Sequence, residues 1–367
     1  MKKSIKIALV SVTAVIWLVV ILFFVIPFAT SKTAEQKFSE ALSEAGIPED
    51  VWRAGKITYI PIFGYIVIDD LEFGEKGSAG SVVAKKVILT LNTKNEPLIA
   101  GSVDVRDVKF SLDDSGITIK TFSVKNFSLD KKQFMHSPIE AVKKLDSIQM
   151  SDAVFKQREK TFFSLGKFNA DLGYTEGKIP IPSSISLKNF VIDLRQFLSF
   201  PALRPEYRLS NMELKNSVSG SNYKVDLVID AANLFAIKSN LGISIPGELS
   251  MLSGIDFDED IKLNSILLTL TDKSLLDHIF ELMGIPDGRT KIAEELRDTF
   301  ITFASMGGIE TERFATEAVN FIAKPGKLEI KTNLNTPISF EDIKQNPLAI
   351  NLSLAINGGK PFVTSNN

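Results

Sequence analysis

Two hydrophobic periods share this chain. From Lys56 to about Lys131 apolar and polar residues alternate with a period of two, which turns every second side chain to one face of a strand. The predicted strands are Gly64–Phe73, Ser81–Asn92, Gly101–Leu112 and Ile117–Leu129. Turn sequences separate them at Gly74-Glu-Lys-Gly77, Asn92-Thr-Lys-Asn95 and Asp113-Asp-Ser-Gly116. A short phrase overlies the alternation: an apolar residue, a polar pair often with Asn or Asp, then alternating apolar positions. It occurs at Val105–Leu112, Val124–Leu129 and Leu187–Leu194, with weaker copies at Leu209–Leu214 and Leu263–Leu268. Its irregular spacing predicts an extended, repetitively built sheet with variable loops, not a propeller of fixed period.

Elsewhere the period is 3.6. Thr33–Ala45 predicts a short amphipathic helix, with Phe38, Leu42 and Ala45 on one face and a stop at Gly46-Ile47-Pro48. Ser137-Pro-Ile-Glu140 has the form of a capping box with Pro at the first helical position, and predicts a helix to about Ile148. Between Asp272 and Ala323 three apolar helix faces follow one another. They are Leu275, Leu276, Ile279, Leu282 and Met283; then Ile292, Leu296, Phe300 and Phe303; then Phe314, Ala318, Phe321 and Ile322. Strand patterns resume over Lys327–Asn333 and Ala349–Ile356.

The start of the chain carries the longest apolar run. Ile7 to Phe28 holds no charge and spans about twenty residues, enough for a helix to cross a bilayer's hydrocarbon core. Lys2, Lys3 and Lys6 precede it and predict a cytoplasmic N-terminus. Pro27-Phe28-Ala29-Thr30 is a poor cleavage site, so the run is expected to remain as an anchor. The fold class expected is mainly β: a transmembrane helix, then an extended, curved antiparallel sheet forming a half-open groove, with a small three-helix insert. The divisions are 1–31 (anchor), 32–55 (juxtamembrane helix and linker), 56–271 (repetitive β domain), 272–324 (helical insert) and 325–367 (C-terminal strands and tail).

Charge and composition narrow the chemistry. Lys and Arg number 42 against 44 Asp and Glu, so no basic excess supplies the phosphate contacts of a nucleic-acid binder. The chain has no cysteine, which excludes disulfides, thiolate catalysis and Cys-based zinc sites. Its two histidines, His136 and His278, lie far apart in sequence; the first is expected in a turn and the second on a helix surface. Phe is abundant, at 26 against 5 Tyr and 2 Trp. That composition suits either a surface facing hydrocarbon or a Phe-rich sandwich core. Ser164–Lys167 and Ser221–Lys224 have Ser-x-x-Lys spacing without companion motifs. Gly74–Gly80 is expected to be a hairpin loop, and Asp256–Asp260 a solvated acidic loop that lacks the Gly and terminal Glu of an EF-hand. No catalytic constellation, metal site or cofactor motif emerges.

The Ile7–Phe28 anchor, the phrases at Val105–Leu112, Val124–Leu129 and Leu187–Leu194, and the Phe-rich strands together resemble the AsmA-like family of Gram-negative envelope proteins. The resemblance covers most of the chain in architecture and is weak in motif. It implies an inner-membrane protein with its bulk in the periplasm and a sheet folded into a half-open apolar groove that carries lipid acyl chains, without catalytic residues. The short chain and the Asp272–Ala323 insert depart from the family. About fifteen strands at roughly 4.8 Å spacing give a groove on the order of 70 Å, short of a full periplasm. Candidate groove-lining residues are Phe110 with Leu112, Phe122 with Val124, Phe127 with Leu129, and Phe190 with Ile192; the sequence leaves the inward parity open. The expected partners are membrane lipid and an envelope protein bound through the helical insert. The alternative is a structural or adaptor subunit whose sheet is a closed sandwich.

Overall fold

The computed structural model describes residues 49–60, 64–74, 80–92, 98–112, 114–130, 142–175, 182–196, 206–245, 260–285, 287–305, 309–332 and 334–363, with 35, 36, 39, 43, 203 and 204 besides. The expected anchor, Ile7–Phe28, lies outside the described residues. Among those described, no helix is long and apolar enough to cross a membrane. The chain is mainly β and divides into two compact units, Met1–Ile192 and Asp193–Asn367. That division falls inside the stretch expected to be one repetitive domain.

The first unit is an antiparallel meander of β1 (Trp52–Arg53), β2 (Lys56–Ile60), β3 (Tyr65–Phe73), β4 (Gly80–Asn92), β5 (Leu98–Leu112), β6 (Ser115–Asp130), β7 (Val142–Gln157), β8 (Lys160–Thr175) and β9 (Ser184–Ile192). From β2 on, each strand pairs with the next, while β1 pairs with β3 beyond the end of β2. No described pairing within the unit joins β9 back to β1 or β2, so the sheet is open. The four strands predicted between Gly64 and Leu129 are all present; β3 starts one residue later, at Tyr65, and β4, β5 and β6 are longer by up to three residues at an end. Gly74–Gly80 joins the paired strands β3 and β4, as expected of a hairpin loop.

One prediction fails here. Val142–Ile148 was expected to continue a helix from Ser137, but it opens the sixteen-residue strand β7. The capping signal is local, whereas β7 pairs along its length with β6 and β8, and that tertiary pairing outweighs helix propensity. Ser137 itself and His136 lie outside the described residues.

The recurrent phrase has a conformational meaning. Asp70, Asp107, Asn126, Asp152 and Asn189 all have left-handed backbones, with φ between 48° and 52°, in mid-strand. Asn and Asp are the non-glycine residues that best tolerate this region. Each is the third residue of the same phrase: Ile68-Asp-Asp70-Leu, Val105-Arg-Asp107-Val, Val124-Lys-Asn126-Phe, Met150-Ser-Asp152-Ala and Leu187-Lys-Asn189-Phe. The phrases at Asp70 and Asp152 are additional copies. The two weaker copies, Leu209–Leu214 and Leu263–Leu268, lie at register shifts instead.

The second unit consists of β10 (Tyr207–Ser219), β11 (Asn222–Ala231), β12 (Phe235–Ser244), β13 (Lys262–Asp272), β14 (Lys327–Thr332), β15 (Ile338–Ser339), β16 (Leu352–Ile356) and β17 (Phe362–Val363). These are antiparallel in the order β10-β11-β12-β13-β14-β16-β17, with β15 extending β14's place beside β13. Between β13 and β14 come three helices, α1 (Leu275–Leu282), α2 (Gly288–Ser305) and α3 (Ile309–Ala323). Because β13 and β14 pair with each other, the insert is an elaboration of this sheet. A fourth helix, α4 (Phe340–Gln345), was not predicted. Ser339 caps it by accepting the Asp342 amide at 3.0 Å while donating to the Asp342 carboxylate at 2.6 Å.

A buried ion pair fixes the insert. Asp272, at the end of β13, pairs with Arg289 on α2, and their side chains are 1% and 6% exposed. Arg289 also lies 2.7 Å from Asp277 of α1 and donates to the carbonyls of Phe321 and Ile322 at the end of α3. One guanidinium thus ties three helices to the sheet.

Candidate functional site

Residues directly opposite in a ladder share a face, so the register can be followed across the first sheet. Four apolar rows run from β3 to β9. Phe73, Val82, Phe110, Ile117, Phe155, Phe163 and Ile192 form one, and Leu71, Ala84, Val108, Ile119, Ala153, Leu165 and Phe190 the next. Ile68, Val87, Val105, Phe122, Met150, Phe168 and Leu187 form the third, and Ile66, Leu89, Val103, Val124, Ile148, Ala170 and Ile185 the fourth. Every one of these positions is apolar.

Neither parity faces inward throughout, because the parity changes within each strand. In β3 the buried positions are Ile66 and Ile68, then Leu71; in β5 they are Val103 and Val105, then Val108 and Phe110. The switch falls at the left-handed residue. Extending the register from both sides places Asp70, Lys85, Asp107, Lys120, Asp152, Gly166 and Asn189 in one line across β3–β9, and this row is unpaired in every ladder. The fifth left-handed residue, Asn126, lies off the line at a separate register shift beside Ser102. Gly166 suits its place, since a Cβ there would lie 3.0 Å from that of Asn189. On the polar side the neighbouring row is Asp69, Lys86, Arg106, Thr121, Ser151, Lys167 and Lys188. The polar face therefore carries a double band of charged and small residues, with ion pairs Lys86–Asp69 at 3.6 Å and Lys120–Asp152 at 3.9 Å. Exposed pairs of this kind contribute at most about 1 kcal/mol each.

Burial grades across the apolar face. Ile68, Leu71, Ala84, Val87, Leu89 and Val103 on β3–β5 are 0% exposed. On β7–β9, Ile148, Met150, Phe163, Phe168, Ile185, Leu187, Phe190 and Ile192 are only half-buried. Phe163 bridges the two zones, with ring centroids 5.5 Å from Phe155 and 6.2 Å from Phe190.

The predicted lining residues divide along this gradient. Phe110, Phe122 and Phe127 are buried core positions, and Leu112 and Val124 are half-buried. Phe190 and Ile192 sit in the accessible zone. Leu129 pairs through its backbone with Ile99 and Val142, and its side chain lies outside the described set. Sequence reasoning missed Met150, Phe163, Phe168 and Leu187. Their signal was the register with Phe190, which one strand read alone does not supply.

The second unit also has an apolar face. Met212, Ile229, Ile237, Leu270, Leu328 and Ile356 form one row; Leu214, Leu227, Ser239, Leu268, Ile330, Leu354 and Phe362 form another, mostly half-buried. Phe314 of α3 stacks on Phe362 with centroids 4.9 Å apart.

One sequence expectation is corrected on α1. His278 is not a surface residue: it is 4% exposed and lies 2.6 Å from the Tyr207 hydroxyl of β10. The Tyr207 hydroxyl also accepts the Arg204 amide at 3.3 Å. The Glu281 carboxylate can only accept, which assigns Nδ1–H to it at 3.3 Å; in that tautomer Nε2 accepts the Tyr207 proton. Ile279, Leu282 and Met283 of the predicted apolar face are 38%, 37% and 65% exposed. The helix has turned its polar histidine inward because β10 offers it a hydroxyl.

Among the described residues no group of three or more His, Asp or Glu side chains could hold a metal ion. Most of the acidic loop Asp256–Asp260 lies outside them. A family model described as "Uncharacterized protein" matches residues 218–357, from the end of β10 through β16 and including all four helices. No curated protein matches the chain.

Proposed function

We propose that this chain is a membrane-anchored, non-enzymatic protein of the bacterial cell envelope that binds or conveys lipid on the apolar face of its first sheet. One observation carries the reading: an unbroken apolar face that is mostly fully buried over β3–β5, whereas over β7–β9 Met150, Phe163, Phe168, Leu187 and Phe190 are only half-buried around the buried Ala153, Phe155, Leu165 and Ala170. A face serving only as core gains nothing by leaving the neighbouring rings of Phe163 and Phe190, and Phe168 farther along β8, only half-buried. Large accessible apolar patches mark binding surfaces, and each acyl CH₂ buried there contributes about 0.8 kcal/mol. The Ile7–Phe28 run supports an inner-membrane anchor with the bulk of the chain periplasmic.

The test is lipid extraction and mass spectrometry on the full chain purified in mild detergent. Stoichiometric phospholipid is expected, reduced several-fold in a Phe190→Asp protein that still melts cooperatively. A folded, lipid-free protein would overturn the proposal. A second reading, an adaptor that docks a protein through the helical insert, is favoured by the outward apolar stripe Ile279, Leu282 and Met283. A lipid-free wild type would move the weight to it.

A further inference from the structure

The line of left-handed residues has a role independent of any ligand. In the first unit every described strand belongs to the one meander, yet its apolar face holds residues with no exposure at all. At the line, two consecutive residues of each strand turn to the polar side, for example Asp69 with Asp70, Lys85 with Lys86, and Arg106 with Asp107. Doubling residues on one side lengthens that side and bends the strand toward the other, as in a β-bulge. Since the site recurs in register on β3, β5, β7 and β9, and the facing residues of β4, β6 and β8 are unpaired with it, the bends add along one direction. We propose that this line is a crease, a device that folds the first sheet lengthwise so that its apolar rows cover one another, and that Asp70, Asp107, Asp152 and Asn189 are there to hold the left-handed conformation. The proposal does not rest on the lipid reading.

Asp107 and Asp152 have exposed side chains, which makes a test by sign available. In an ordinary strand Asp and Gly are poor residues and Val one of the best, so Asp→Val should raise stability and Asp→Gly lower it. At a crease the order inverts, because Gly enters the left-handed region freely and a β-branched residue does not. Both substitutions remove the same charge, so loss of the Lys120–Asp152 pair cancels between them. In the full chain, Asp107→Gly and Asp152→Gly are expected to melt at or above the wild-type temperature, and Asp107→Val and Asp152→Val roughly 2–8 °C lower. A Val variant that melts higher than its Gly counterpart overturns the crease.

Should the Val proteins fail to fold, Asp107→Ala and Asp152→Ala replace them, and an Ala variant that melts at or above its Gly counterpart contradicts the crease. Hydrogen exchange on the wild type is an independent check. The backbone amides of Lys85, Asp107, Lys120 and Asp152 should exchange at least tenfold faster than those of the rows on either side, and equal protection would count against the proposal.

Discussion

At the scale of the residue, the phenylalanines separate by role. Phe155 is 2% exposed and touches both Phe162 and Phe163. Truncating it to Ala should cost about 3–5 kcal/mol, seen as an early midpoint in urea. Phe190→Ala, in the half-buried zone, should cost under about 2 kcal/mol and act mainly on lipid content. The recurrent phrase was legible in sequence at three strong and two weak places. Its meaning was not, because nothing in Val105-Arg-Asp107-Val states the sign of φ. Knowing that Asp107 is left-handed resolves the parity question, which has no single answer for any crossing strand. His278 was misread for a related reason: its burial depends on Tyr207, 71 positions away.

Elements were legible where local signals and pairing agree, and failed where they conflict. The strands from β3 to β6 and the three insert helices were placed to within a few residues. The end of the Ser137 helix was lost to the pairing of β7. Helix α4 was overlooked although Ser339-Phe-Glu-Asp342 carries a capping-box pattern, because six residues give too little periodicity to notice. Two element-level predictions follow from ion pairs. Arg289→Met should destabilise the insert by about 3–5 kcal/mol, since it strands the buried Asp272 carboxylate; Asp272→Leu combined with it should recover part of the loss. At the other end of the burial scale, Arg158 in the β7–β8 turn donates to Asp114 in the β5–β6 turn at 2.6 Å. That hydrogen bond is the largest influence on the Asp114 carboxyl and holds its pKa below the ordinary 3.8. A depressed carboxyl contributes stability above its unfolded pKa and loses it as pH falls through the folded one. The coupling of the two turns should therefore be present at neutral pH and vanish in strong acid. In an NMR titration the Asp114 midpoint should rise toward the ordinary value in Arg158→Gln.

At the scale of the whole molecule, a β-rich architecture with a helical insert could be read from the periods alone. The division at Ile192 could not, since strand patterns continue on both sides of it. The apolar face lay partly in view, as Phe-rich strands of one period; its gradient of exposure required the pairings. In the first unit nearly every contact between strands joins neighbours in sequence, from β2 to β9. Such a meander closes only short loops at each step. Strands can therefore be laid down in the order in which they are synthesised, each on a template already formed, and no early strand waits for a late one. Along the crease the left-handed residues Asp70, Asp107, Asp152 and Asn189 fall on alternate strands and their partners on those between, so the smallest unit that could be duplicated or lost without breaking the line is two strands. A sheet of this kind can evolve in length by whole hairpins, and a single added strand would put every later residue out of step.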